Sequence, residues 1–450
     1  MSGRLSPVSL AELGPAEVPI LNSGDKEASE APAAVPNPDG IVIPDGGLQA
    51  WCTVAGAWLV SFSTFGYMNA YGVYQSYYIE TLLPSYSPSA ISWIGSVQTL
   101  LMMGTAGIAG KLLDMGYFRS LIITGTVMYV GCIFAQSAAQ MDGYYQVFLS
   151  QGLGQGLATG MLYLPSIGVI AHHFKRRRAM AMGMIVMGSS VGGIVFPIML
   201  NNILQRSSFA WTVRAAGFLV LGCLVAANLL MSTRLPPGKT KDQASVVAFF
   251  KEAHYVLFLA GIFFVFWGVT FPLFYIQLFA SQKISNQSLT FYTLSITNAG
   301  SMLGRTVPNL LADRVGSMVL LVPSTFVTGA LIFAMFGCTY EGAVVVFCIF
   351  FGFFSGAYIG LMPPAVADMS KSYGEIGARI GIGMSFMGLS AMSGTPIVSA
   401  LIGSGPEFAW WKGIVFSGVF VLAGGTAMAV AWYLQPPKVD LHAPAGAAVH

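Results

Sequence analysis

Charge is the scarcest property of this chain: lysine, arginine, aspartate and glutamate supply 9% of its 450 residues, against roughly a quarter in an ordinary globular domain. With hydrophobic residues at 55%, the composition excludes a water-soluble globular protein and calls for lipid as the solvent. Cysteine is scarce too. Cys52, Cys132, Cys223, Cys338 and Cys348 stand singly in apolar segments, an odd number without ligand spacing, which supports neither a disulfide framework nor a metal site. No nucleophile-base pairing, metal spacing or phosphate loop stands out, so neither enzymatic activity nor a cofactor is expected. The first long apolar segment lacks a preceding basic stretch or small-residue cleavage site, is too long for a signal-peptide core, and is expected to stay in the mature protein. The apolar segments also lack acids at their centres: Glu80, Asp114, Glu252, Asp313, Glu341 and Asp368 lie at their ends.

What is present is length and repetition. A membrane span needs about 20 mostly apolar residues. Twelve such segments run through 50–77, 89–111, 119–138, 146–172, 179–204, 211–230, 253–279, 290–311, 318–338, 344–366, 379–402 and 411–433. Landmarks of the first six return in the last six at a nearly fixed offset: Gly110 to Asp114 as Asn309 to Asp313, Gly156 and Gly160 as Gly356 and Gly360, Gly183 and Gly188 as Gly383 and Gly388, Pro197 as Pro396. The predicted fold class is therefore all-α integral membrane, with twelve transmembrane helices in two six-helix pseudo-repeats. Secondary transporters are built this way, with the substrate site between the halves. The halves are expected at 47–233 and 252–434, joined by a linker at 234–251 that carries two prolines and four basic residues. Residues 1–46, rich in Pro, Ala, Ser, Glu and Gly, read as a disordered tail, and 435–450 as a second tail.

Basic residues set the orientation. Lys111, Arg119, Lys175 to Arg178, Arg234, Lys239, Lys241, Lys251, Arg314, Lys371 and Arg379 fall on one side, against Arg206, Lys283 and Lys412 on the other, with Arg214 close by. The positive-inside rule then predicts a multi-pass protein with both termini in the cytosol. The plasma membrane is the expected location and a monomer the expected state. Between two spans, the basic run Lys175 to Arg178 reads as a topology anchor, and no nucleic-acid partner is expected. Asn286 and Ser288 match a glycosylation acceptor in a short outer loop.

Gly110 to Arg119 (GKLLDMGYFR) and Asn309 to Gly316 (NLLADRVG) resemble the signature of the major facilitator superfamily, in which a Gly-x-Leu-x-Asp stretch with basic residues closes the cytosolic gate. The second copy is the closer match, because Gly116 sits one position early in the first. Asp45-Gly46-Gly47 with Trp51, the stretch from Phe174 through Arg178 to Gly183, Asn298 through Gly304 and Arg305, and Ala312 to Gly316 resemble the monocarboxylate porter family, notably its fungal branch. The resemblance covers roughly residues 44 to 434. It implies the major facilitator fold, a small organic anion as substrate, and a role for Arg305 in binding the substrate carboxylate. Two departures from the proton-coupled mammalian members stand out: Asn69 where they have a lysine, and Ser301 where they have an aspartate one turn before the arginine. Both weaken transfer of a lactate-plus-proton mechanism. His172, His173, His254 or the gate aspartates leave a coupled proton open as a partner.

Arg305 carries the most chemical information. It lies eight residues before Asp313, which on a helix is about 12 Å from the eighth span's end. A guanidinium at such depth costs roughly 2.5 to 3.5 kcal/mol on insertion scales and is rarely kept without a use. Its planar fork fits a carboxylate; the alternative is snorkelling to the surface beside a structural partner. The gating candidates are Asp114, Arg119, Asp313, Arg314, Arg177, Arg178 and Arg379. The superfamily's repeat geometry would place the two aspartates at the N-terminal ends of the eleventh and fifth spans, stabilised by the helix dipole and by Arg379 or Arg177 and Arg178. Solvated turn charges are the alternative. The remaining pocket candidates are Asn69, Tyr67, Tyr71, Gln98, Tyr163, Phe271, Phe274, Asn298 and Tyr358, which together would suit a carboxylate with a sizeable, partly aromatic body. Packing, lipid contact or helix-helix hydrogen bonding competes with each of these roles.

The sequence thus predicts a carrier that moves an organic anion, a monocarboxylate or a related metabolite, by alternating access in a lipid bilayer. Export of a fungal secondary metabolite and import of a vitamin-like compound are the alternatives within that class. A ligand sensor without flux is the alternative outside it.

Overall fold

The first expected span is not one uniform helix. In the computed structural model it comprises α1 (Leu48–Ser61), a π-helical stretch Phe62–Gly66, α2 (Tyr71–Tyr77) and a second π-helical stretch Tyr78–Leu82. Between α1 and α2 the backbone tightens: Ala70 N–H bonds the Tyr67 carbonyl and Val73 N–H the Ala70 carbonyl, each at 3.0 Å. Such departures from regular α geometry free main-chain groups and reorient side chains, and they concentrate at functional positions.

The rest follows in chain order. Helices α3 (Pro88–Asp114), α4 (Phe118–Gln136), α5 (Tyr144–Val147), α6 (Gly156–Gly168), α7 (Arg178–Leu204) and α8 (Phe209–Leu230) complete the first half. A π-helical stretch, Phe148–Gln155, runs between α5 and α6, so the fourth expected span is irregular as the first is. A four-residue helix α9 (Val246–Phe249) then precedes α10 (Ala253–Lys283), α11 (Gln287–Val315), α12 (Ser317–Ala334), α13 (Glu341–Asp368), α14 (Ile376–Ile402) and α15 (Trp410–Tyr433). The structure describes residues 45–233, 246–371, 375–403 and 408–435. Residues 1–44 and 436–450 of the expected tails and 234–245 of the expected linker lie outside them.

No strand occurs among the described residues. Ten helical segments there are long and apolar enough to cross a membrane. The other two expected spans are the interrupted first one and α11, an unbroken helix of 29 residues diluted by Ser, Thr, Asn and Arg. Side-chain caps start three of the helices. Ser87 Oγ accepts from Ala90 N, Ser208 Oγ from Trp211 N and Asn286 Oδ1 from Leu289 N, satisfying donors a helix start leaves open. Asn286, read as a glycosylation acceptor, therefore spends its side-chain oxygen on a cap.

Within the first half α1 packs on α7 and α8, and α4 on α6. Within the second, α10 packs on α15, and α13 on α11 and α12. Contacts between halves run mainly along two pairs, α3 with α14 and α7 with α11. Small residues permit the approach. A methyl group added at Gly110 would collide with the Gly377 carbonyl, and one at Gly183 with the Arg305 carbonyl. The basic residues Lys111, Lys175, Arg314 and Lys371 gather at one end of these pairs, called the basic end below.

Candidate functional site

At the basic end each half offers a carboxylate to a helix start of the other. Asp114, the last residue of α3, accepts from Gly377 N at 3.0 Å and Ala378 N at 2.7 Å in the first turn of α14. Asp313, near the end of α11, accepts from Ala179 N at 2.8 Å and Met180 N at 3.0 Å in the first turn of α7. Both aspartates thus occupy the places the repeat predicts. Negative charge there meets open N–H groups and the positive end of the helix dipole. Gly116 and Gly316, just beyond the two helices, have φ of 88° and 97°, backbone that glycine adopts without strain.

The arginines follow expectation only in part. Arg379, expected beside Asp114, forms a fork with Glu252: Nη1 donates to Oε2 at 2.8 Å and Nη2 to Oε1 at 3.1 Å. Arg178 lies near enough to Asp313 to interact with its charge, as expected, and also pairs across the halves with Asp368 at 2.6 Å. Arg119 donates through Nη1 to the carbonyls of Asn228 and Met231 at 2.6 and 3.2 Å, closing the end of α8 within its own half and outside the contacts between halves. Arg177 and Arg314 are exposed.

Deeper between the halves lies Arg305, 4% exposed. Its Nη1 donates to the Val186 carbonyl at 2.9 Å and to Ser189 Oγ, both on α7. Its Nε, also buried, has no hydrogen-bond partner among the described residues. Arg305 therefore does not snorkel. One edge of the fork joins α11 to α7, and a donor on the other stays unsatisfied. Above this layer Ser190 Oγ and Ser301 Oγ are 3.5 Å apart, and the Asn69 and Asn298 amides flank Gly193, where an added methyl would meet them at 3.0 and 3.2 Å. The structure thus brings Asn69, Asn298 and Arg305 to one seam formed by the first span, α7 and α11.

The other pocket candidates are mostly absorbed by packing. Tyr67 OH bonds Tyr74 OH at 2.6 Å, and Tyr71 OH donates to the Ile91 carbonyl at 2.8 Å. Tyr163 is buried against Phe65, their ring centroids 5.5 Å apart, and lies near enough to Arg305 to interact with its charge, so it borders the seam. Phe271 is buried beside Trp410 of α15, and Tyr358 OH reaches the Ile262 carbonyl of α10 at 3.4 Å; both sit inside the second half. Phe274 is 60% exposed. Gln98 is buried with its Oε1 unpartnered.

Sequence reasoning missed Ser189, Glu252, Asp368 and Ser385 as site residues. Ser385 Oγ lies 3.3 Å from the carbonyls of both Met103 and Gly104 across the α3 and α14 seam. The available signal was acid at span ends beside the gate loops, which describes Glu252 and Asp368. Asp45, singled out by its motif, accepts from the backbone N–H groups of Lys175 and Arg176, while Trp51 packs edge-on against Phe174.

Two six-helix halves that exchange carboxylates at one end, around a buried polar seam, define a membrane carrier of the secondary-transporter class. The model described as Major Facilitator Superfamily matches residues 53–374, and the chain belongs to that superfamily. Among curated proteins it is similar to the aspyridones efflux protein apdF of Emericella nidulans, 37% identical over 90% of this chain and 81% of that protein. It is likewise similar to the fujikurins efflux protein of Gibberella fujikuroi, 35% identical over 89% and 85%. Among solved structures it shares its fold with the transporter FucP in the outward conformation, with a TM-score of 0.60, 16% identity and coverage of 85% and 99%. The same holds for the human organic anion transporter MFSD10, with a TM-score of 0.62, 13% identity and coverage of 86% and 98%.

Proposed function

We propose that this protein exports an acidic small-molecule metabolite across the plasma membrane by alternating access, as a member of the fungal branch of the monocarboxylate porter family. The halves 47–233 and 252–434 rock against each other as a monomer, with the basic end and both termini in the cytosol. Asp114, Asp313, Arg178 and Asp368 hold that end shut. The substrate anion sits at the seam of Asn69, Asn298 and Arg305. One observation carries the anion reading: a buried guanidinium between the halves whose Nε donates to nothing. An unsatisfied charged donor in a dry interior is costly, and a carboxylate meeting the fork along that edge would satisfy it. Export, rather than import, is supported by the similarity to efflux proteins along most of the chain.

The test is retention. Yeast cells with and without the protein are loaded with paired acids and carboxamides, and mass spectrometry follows the ratio inside to outside. The reading expects faster loss of at least one acid and not of its amide. Equal retention of every pair would overturn it.

A further inference from the structure

One heavily bonded side chain at the basic end takes its partners from its own half. Arg379, in the first turn of α14, is fully buried. Besides its fork with Glu252, its Nε donates to Glu375 Oε2 at 3.2 Å. Its guanidinium carbon lies 4.3 Å from the Phe249 ring centroid and 5.0 Å from that of Tyr255. Tyr255 OH donates to the Arg379 carbonyl at 2.8 Å, so side chain and main chain of one residue are both fixed. Around Glu252, Lys371 Nζ lies 2.6 Å from Oε1 and His254 Nε2 lies 3.6 Å from Oε2.

One of these partners, Phe249 at the end of α9, belongs to the expected linker, and the other, Glu252 immediately before α10, is the first residue of the second half, so the junction of linker and second half is bound to the first turn of α14. That turn also presents Gly377 N and Ala378 N to Asp114. The aim of those two N–H groups depends on the orientation of the turn, which is packed against α3 at Gly110 and tied to α10 through Arg379 and Tyr255. Helix starts fray unless tied down.

We propose that Glu252 and Phe249 are positioning residues for the gate: through Arg379 they fix the start of α14 so that its N–H groups meet Asp114, which makes the end of the linker part of the lock between the halves. The lock then has an input outside the substrate seam. A pull or displacement on the linker would loosen Arg379, turn the first helical turn, and release Asp114 without any change at Arg305.

The experiment reads conformation and needs no substrate, so its failure and that of the export reading are separable. Spin labels are placed at Tyr117→Cys and Val315→Cys, exposed positions in opposite halves, in detergent-purified full-length protein with its native cysteines replaced. Their separation is measured by pulsed dipolar spectroscopy. The unmodified lock should give mainly short separations. Glu252→Gln should raise the long-separation fraction about fivefold or more, the scale of a typical coupling between sites. Glu252→Asp, which keeps the charge beside Arg379, should stay closer to the original distribution than Glu252→Gln, a difference that a general loss of packing would not produce. Because Glu252→Gln leaves a buried cation short of its partner, at a cost to folding, Phe249→Ala is measured beside it, removing the ring contact while keeping the ion pair. Folded variants with the unaltered distribution would overturn the proposal.

Discussion

Arg305 concentrates the account in one side chain. Its Nη1 is committed across the seam to Val186 and Ser189, while Nε is buried and unpartnered. A carboxylate bound there, as proposed, would meet a donor that is already dehydrated and partly oriented, the condition under which a charge-assisted bond is strong. Arg305→Ala should weaken binding of the transported acid by about 2 to 5 kcal/mol, much of it the cost of leaving the anion unpaired. Arg305→Lys should recover little, because an ammonium lacks the planar fork. Binding to the purified variants, with normal yield and elution as the check on folding, measures both. The seam was legible in the sequence because a mid-span arginine needs a reason. Ser189 was not, since one serine among the small residues of a span has no signal until the partner helix is in place.

At the same scale, Glu252 yields a pH prediction. Burial works to raise its carboxyl, but hydrogen bonds and charge from Arg379 and Lys371 together outweigh it and lower it from 4.5 to about 2. A carboxylate with a depressed folded pKa contributes stability that is fully present above its unfolded pKa and is lost as pH falls toward the folded one. The melting-temperature gap between the natural protein and Glu252→Gln should therefore stay constant from about pH 8 to about pH 5 and narrow only below that. A gap that already closes between pH 7 and pH 6 would contradict this assignment.

Among the elements, the helix starts of α7 and α14 matter most, because each receives a carboxylate from the other half. Replacing either aspartate by asparagine keeps one acceptor and turns an amide toward a backbone N–H. Loss of hydrogen bonds to a charged group costs about 1.5 to 3 kcal/mol. Asp114, 7% exposed, is the more buried of the two. Asp114→Asn should open the basic end more than Asp313→Asn, seen as faster labelling of a cysteine at Ser385. Equal labelling in both variants and in the parent would remove the gate role. These contacts were expected from the resemblance of the repeated loops to the superfamily signature. The full arginine partners were not: Arg379 pairs with Glu252 within its own half, and Arg178, though near Asp313 as expected, bonds Asp368 across the halves; the places of both acids depend on packing rather than on spacing. The break at Asn69 and Ala70 was equally hidden, since Asn69 and Gly72 stand at it or near it and neither fixes where a helix tightens.

For the whole molecule, hydrophobic segmentation and internal repetition were enough to foresee an all-helical bundle of two six-span halves, because lipid leaves few other ways to satisfy a backbone. Orientation is testable on the same footing. With the basic end inside, tags at both termini should be reachable only from the cytosolic side, and a tag between Lys283 and Gln287 only from outside. The reverse pattern would contradict the positive-inside reading.

The most direct measurement is flux in proteoliposomes for matched carboxylate and carboxamide pairs, comparing the natural protein with Arg305→Ala and Arg305→Lys. The account predicts saturable flux of an acid and not its amide, lost in both variants while each still reconstitutes as a folded protein. Normal carboxylate flux through Arg305→Lys, or amide flux equal to that of the acid, would contradict it.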